Sequence, residues 1–252
     1  MPTRWRNPNC SPRGRRWCCS LQRGWGRLVS LTTSVCVYRR SSSVARLGLF
    51  PLNIVLLPGE QVPLHIFEPR YKLLFARVLQ AQEEVGINLL LQERLYEIGC
   101  RAQVVEVLRH YPDGRMDVLV LGTQRYRVLE LDRSAQPYLL GTVEWLEDRP
   151  EPVEEHLRTE CQELYQQLVL RLRGESAQSE QLFEQLQQQE LLSFWIAQQV
   201  GLELLQRQYL LELLSENERL QWLVEHLKAI LPRLEAAEEF FRRVRGNGHF
   251  AP

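Results

Sequence analysis

Lysine is nearly missing from this chain: among 252 residues only Lys72 and Lys228 carry an ε-ammonium group. That scarcity excludes much chemistry at once. A phosphate-cradling G-x-x-x-x-G-K-[ST] loop sets its lysine directly after glycine, whereas Lys72 follows Tyr71 and Lys228 follows Leu227. A lysine that activates a neighbouring serine has the same two residues to draw on, and neither stands in such a context. There is also no G-x-S-x-G elbow, no H-E-x-x-H and no Gly-rich dinucleotide loop. The cysteines at 10, 18, 19, 36, 100 and 161 form no C-x-x-C pair, which removes the usual zinc and redox spacings. No apolar run reaches the roughly 18 residues of a membrane-spanning helix; the best, Leu49–Leu57, is broken by Pro51 and Asn53.

Acidic residues are absent from one end. The first 46 residues contain no Asp, Glu or Lys but ten Arg, so a formal net charge of zero hides a basic tail and an acidic body. An acidic body argues against a nucleic-acid platform, which needs a surplus of Lys and Arg on one face. The tail shows neither helical nor strand periodicity, and residues 1–46 are read as an unstructured segment outside the fold. Three readings of it stand open: an over-extended start, an organellar targeting peptide, or an arm for nucleic acid or a membrane surface. Cys100 and Cys161, far apart in the body, read as buried small hydrophobes in a reducing compartment, with the cytoplasm as the default and an organelle as the alternative if the tail is a transit peptide.

From Leu49 short apolar runs alternate with Pro and Gly, the pattern of strands bounded by turns. Strands are predicted over 50–57, 62–67, 86–92, 102–108, 116–121, 125–131 and 139–146. Glu68-Pro69 opens a helix to about Gln82, with proline at the first helical position, where its missing N–H costs nothing. Asp113-Gly114 is a hairpin turn. Glu147–Pro152 reads as a polar hinge, and everything beyond it is helical. Val153, Leu157, Cys161, Leu164, Leu168 and Leu172 make one apolar stripe. Gly174–Ser179 interrupts it, and residues 181–189 suggest a short helix. Further helices are predicted over 191–200 and 202–214. Ser215 and Glu218 have capping-box spacing ahead of a helix ending near Pro232, with a last helix reaching Val244.

Several segments, in order, resemble the Lon protease N-terminal domain family. They are Leu49-Phe50-Pro51-Leu52, Leu57-Pro58-Gly59, Pro63–Tyr71, Ile98-Gly99-Cys100, Gly122–Val128 with its G-x-x-R-[FY]-R pattern, Val143–Asp148, Leu192–Ala197 and Gln208–Glu212. The resemblance implies an α+β fold: a PUA-like β pseudo-barrel at about 47–149, followed by a C-terminal helical bundle at about 150–245. It further implies a non-catalytic module for unfolded or extended polypeptides, serving as an adaptor or substrate-recognition unit in protein quality control with a protease or ATPase as partner. An RNA-binding PUA-like module and a peptidase-related enzyme are the alternatives.

The landmarks read first as fold chemistry. His65, between Leu64 and Ile66, is expected to be a structural histidine with a satisfied hydrogen bond. Phe194 and Trp195 are expected in the helical core, and Arg70, Arg125 and Arg127 are expected to pair with carboxylates. No catalytic, cofactor-binding or metal-ligating residue is assigned, and a cleft between the β and helical halves is the expected binding place.

Overall fold

A computed structural model describes residues 44–173 and 184–246. The predicted helix following Gly174 lies partly outside these, with residues 184–188 helical. Six strands come first: β1 (Val44–Leu52), β2 (Gln61–Ile66), β3 (Val85–Leu91), β4 (Arg94–His110), β5 (Met116–Asp132) and β6 (Leu139–Trp145). Helix α1 (Pro69–Ala81) lies between β2 and β3; α2 (Glu155–Arg173), α3 (Leu192–Gln199), α4 (Leu204–Glu212) and α5 (Glu216–Gly246) follow the sheet. The fold is therefore α+β, as expected.

Strand pairing closes a ring. β1 runs antiparallel to β6 and parallel to β3, β3 and β4 are antiparallel, and β5 joins β4 on one side and β6 on the other. The parallel β1–β3 pair needs a long crossover, which β2 and α1 supply. β2 pairs only with β5, over Met116–Leu121, and so ends the sheet. Leu47, Leu49, Tyr126, Val128 and Val143 form a small core drawn from β1, β5 and β6 alone. The Tyr126 hydroxyl donates to Asn88 at 2.5 Å, and a Cβ at Gly86 would lie 2.3 Å from that hydroxyl, so glycine leaves the space the phenol needs.

β1 begins at Val44, three residues inside the segment read as tail, because Ala45 and Leu47 continue the alternation that buries Leu49. The predicted strands 116–121 and 125–131 are one strand. Gly122 does not break it; its missing Cβ lets the Leu57 carbonyl approach, and a Cβ there would sit 2.3 Å from that oxygen. The Gly122 amide donates to Glu60 O and its carbonyl accepts from Gly59, docking the 53–60 loop on β5.

The larger core runs without a break from Phe50 and Phe75 in the β half to Leu210, Leu223 and Leu231 in the helical half. Along α2 the buried line is Leu157, Cys161, Tyr165 and Leu168, while Leu172 is exposed. Ser215 caps α5 by accepting from the Glu218 amide at 3.1 Å, but Glu218 turns outward to Arg149 instead of closing the box. α5 continues through Pro232, whose ring is exposed; the proline removes one helical hydrogen bond without stopping the helix.

Candidate functional site

One cleft of about 470 Å³ stands out among the described residues. It is built where the ring loses a neighbour. β1 pairs with β6 from Val44 onward, but with β3 only from Gly48. The chain between α1 and β3 turns away: Gln82 takes a left-handed conformation with φ of 53°, and the Glu83 amide closes the helix on Val78 O. Residues Val44–Leu47 therefore have no strand on that side among the described residues. The Ala135–Tyr138 loop and the C-terminal half of α1 form the other walls.

Leu47, Leu74, Val78, Leu140 and Trp145 give the cleft an apolar floor, and Tyr138 is buried beside them. The rim is charged but balanced. Arg46 pairs with Asp132 at 3.3 Å, Arg77 with Glu83 at 3.2 Å and Arg101 with Glu84 at 2.9 Å. Thr123 donates to Glu84, and the Arg101 guanidinium lies over the Trp145 ring, 4.8 Å from its centroid, so these side chains hold one another in place. The Tyr138 hydroxyl, and after it Glu83, moves the Arg77 guanidinium further toward its charged form. No Ser, Cys, His, Thr or Lys lines this space. It can hold a chain by apolar contact and hydrogen bonds.

The place between the halves is filled rather than open. Arg219, fully buried, donates to Asp148 (2.5 Å), Glu216 (2.7 Å) and Ser193 Oγ (2.8 Å), while Arg125 pairs with the same Asp148 and donates to Leu211 O at 2.9 Å. Both guanidinium groups lie against the Phe194 ring, at 4.3 and 5.4 Å. Two buried cations are thus balanced by the buried Glu216 and the partly exposed Asp148. Burial pushes the Asp148 carboxyl up, but Arg219 and then Arg125 overcome this and hold it below its ordinary range. Burial draws Arg125 down.

The segment read as a hinge is fixed to α5: Ser215 donates to Glu151, Arg149 reaches Glu218 at 2.9 Å, and Asn217 bonds Pro152 O and the Glu154 amide. Arg207 adds a second clasp, donating to Glu60 at 2.5 Å and to Val55 O at 3.0 Å. The expected cleft between the halves is replaced by this contact, because the landmark residues there satisfy one another.

None of the residues read individually from the sequence lines the cleft, although Trp145 of the Val143–Asp148 landmark does. His65 is exposed and pairs with Asp117 at 2.5 Å, which also accepts from Tyr111. Arg70 and Arg127 pair with Glu68 and Glu144. Phe194 is buried at the junction; Trp195 is half-buried, edge-on to Tyr165 at 5.5 Å. Lys72 donates to Asp113 O, and Lys228 pairs with Glu160. Cys100 and Cys161 are buried and unbridged, and burial pushes both thiols up to about 12. No cluster of metal-ligating side chains and no helix long and apolar enough to cross a membrane occurs among the described residues. Arg77, Glu84 and Arg101 were missed because they come from separate segments and become neighbours only when the ring closes.

Known proteins share this architecture. The Lon protease of Geobacter metallireducens is 29% identical over 188 residues, a match that takes in 71% of this chain and 22% of that protein. The chain thus corresponds to about a fifth of that relative's length. The crystal structure of a Lon N-terminal domain protein from Xanthomonas campestris superposes with a TM-score of 0.58 at 25% identity, covering 72% of this chain and 98% of that one. The N-terminal domain of Mycobacterium avium complex Lon protease, at 18% identity and a TM-score of 0.60, has the same fold over 73% of this chain and 98% of its own. Residues 46–229, which take in the ion-paired junction and all but the first residues of the ring and the cleft, match the family model of the ATP-dependent protease La (LON) substrate-binding domain, and the chain belongs to that family.

Proposed function

We propose that this chain binds unfolded or extended polypeptide in the cleft beside β1 and neither cleaves it nor hydrolyses ATP. The observation that carries this reading is the composition of the cleft: an apolar floor under a rim whose three arginines each have a carboxylate partner, with no Ser, Cys, His, Thr or Lys in its lining. Such a surface rewards an apolar side chain while its fixed polar rim satisfies main-chain groups. It gives little to a polyanion, since no arginine of the rim is left uncompensated, and this weighs against the RNA-binding alternative. Membership of a substrate-binding family supports the same reading. The protein would then act as an adaptor or recognition module in protein quality control, in the cytoplasm, handing clients to a partner protease or ATPase.

The test is to mix the full-length protein with a fluorescent unfolded polypeptide, with and without ATP, and to follow anisotropy and fragment release together. Rising anisotropy without fragments is expected under both conditions. Flat anisotropy at high micromolar protein would remove the binding claim, and fragments appearing with ATP would remove the claim of inactivity.

A further inference from the structure

We propose that the cleft takes its occupant as an added β-strand: the main chain of an extended, net-neutral polypeptide pairs with the open edge of β1 at Val44–Leu47. The proposal rests on the polypeptide-binding reading and gives it a mode. Ala45, Arg46, Leu47 and Gly48 all line the cleft. Successive side chains of a strand point to opposite faces, so four in a row border one space only where that space runs along the strand's edge. Along the first three of these β1 has β6 on one side and no partner from β3, whose pairing starts at Gly48. What faces the cleft is therefore backbone with hydrogen-bonding groups to offer, over about 10 Å for the three residues Ala45–Leu47 at ~3.3 Å each.

Two other open edges in the sheet, β2 and the far end of β4, are protected. β2 carries Pro63 in mid-strand, which has no N–H to donate. Beyond Ala102, where β3 pairing ends, β4 shifts register against β5 between Val104 and Glu106 and again between Val107 and Arg109, and bulges of this kind twist an edge away. β1 has neither device over Val44–Leu47. Its flanks specify the occupant: Leu74, Leu140 and Trp145 can receive alternate side chains, and the compensated rim of Arg46, Arg77 and Arg101 favours a segment without net charge. Affinity would come from main-chain bonds and so be shared by many sequences.

The test uses the full-length protein and a fluorescein-labelled nonapeptide of Ala, Leu, Ser, Thr and Val. Beside it go a scrambled version and a version with every second amide N-methylated. Strand addition predicts that scrambling changes affinity by no more than about threefold, whereas N-methylation weakens it by about tenfold or more, the loss of ~1.4 kcal/mol of main-chain bonding. Hydrogen exchange should also slow within Val44–Leu47 when the plain peptide is bound. Equal binding of the plain and N-methylated peptides, or no protection of Val44–Leu47 while peptide is bound, would overturn strand addition and leave polypeptide binding standing. Failure of all three peptides to bind would overturn both.

Discussion

Arg219 of α5 and Asp148, three residues beyond the end of β6, form a two-pronged pair: Nη1 lies 3.0 Å from Oδ1 and Nη2 lies 2.5 Å from Oδ2. Asp148 also serves Arg125, so one carboxylate answers two buried guanidinium groups. Asp148→Asn leaves that pair of cations short of a charge and should cost about 3–5 kcal/mol, as removing one partner of a buried pair does. The pH dependence follows from the lowered folded-state pKa of Asp148. Its stabilisation is complete above the unfolded value of about 3.9 and is lost as pH falls through the folded value. Denaturant melts between pH 5 and pH 2 should therefore fall less steeply for Asp148→Asn than for the natural protein; equal slopes would remove Asp148 from the acid response.

Trp195 is only half-buried, and its main partner is the edge-on ring of Tyr165. Trp195→Ala should cost about 1–3 kcal/mol, less than the ~3–5 of a fully buried aromatic, and should leave peptide affinity unchanged. Thermal melts beside anisotropy titrations separate the two effects. A drop in affinity at full stability would move the binding place to the helical half.

Gly122→Ala introduces a Cβ that would stand 2.3 Å from the Leu57 carbonyl oxygen, a backbone atom with no rotamer to escape by. Either the 53–60 loop lifts or β5 shifts, at about 1–3 kcal/mol. A lowered denaturation midpoint with an unchanged m-value is the expected result, and an unaltered midpoint would show that the loop yields freely.

Leu140 belongs to the floor of the cleft and is only partly buried. Leu140→Ser should weaken polypeptide binding by about tenfold, since an apolar contact of this size is worth ~1.5 kcal/mol or more. The melting temperature should move little. Unchanged affinity would place the occupant elsewhere.

The order of elements was legible because each boundary is marked by a residue with one local reason to be there: Pro69 at a helix start, Asp113-Gly114 at a hairpin, Ser215 at a cap. What local reading could not see is glycine used for proximity rather than for turning. Gly122 reads as a break in sequence, yet in the fold it lets another segment's backbone approach mid-strand. Pro232 misled for a related reason, since an exposed helical surface tolerates the missing bond. The ion pairs expected of Arg70, Arg125 and Arg127 are all present, but the site is elsewhere. Its walls come from β1, α1, β4, β6 and the β5–β6 loop, and no spacing along the chain announces a space formed by the absence of a neighbouring strand.

The ring closes through β1 and β6, and Val44 finds its partner in Glu144, a hundred residues further along the chain. During synthesis Val44–Leu47 of the first strand must therefore wait until the sixth has left the ribosome, with their apolar positions exposed meanwhile. Contacts of such long range are slow to form and open to wrong association before they do. The growing chain would itself need holding until Trp145 emerges, so a chaperone present during translation should raise the yield of folded protein more than one added to the finished chain.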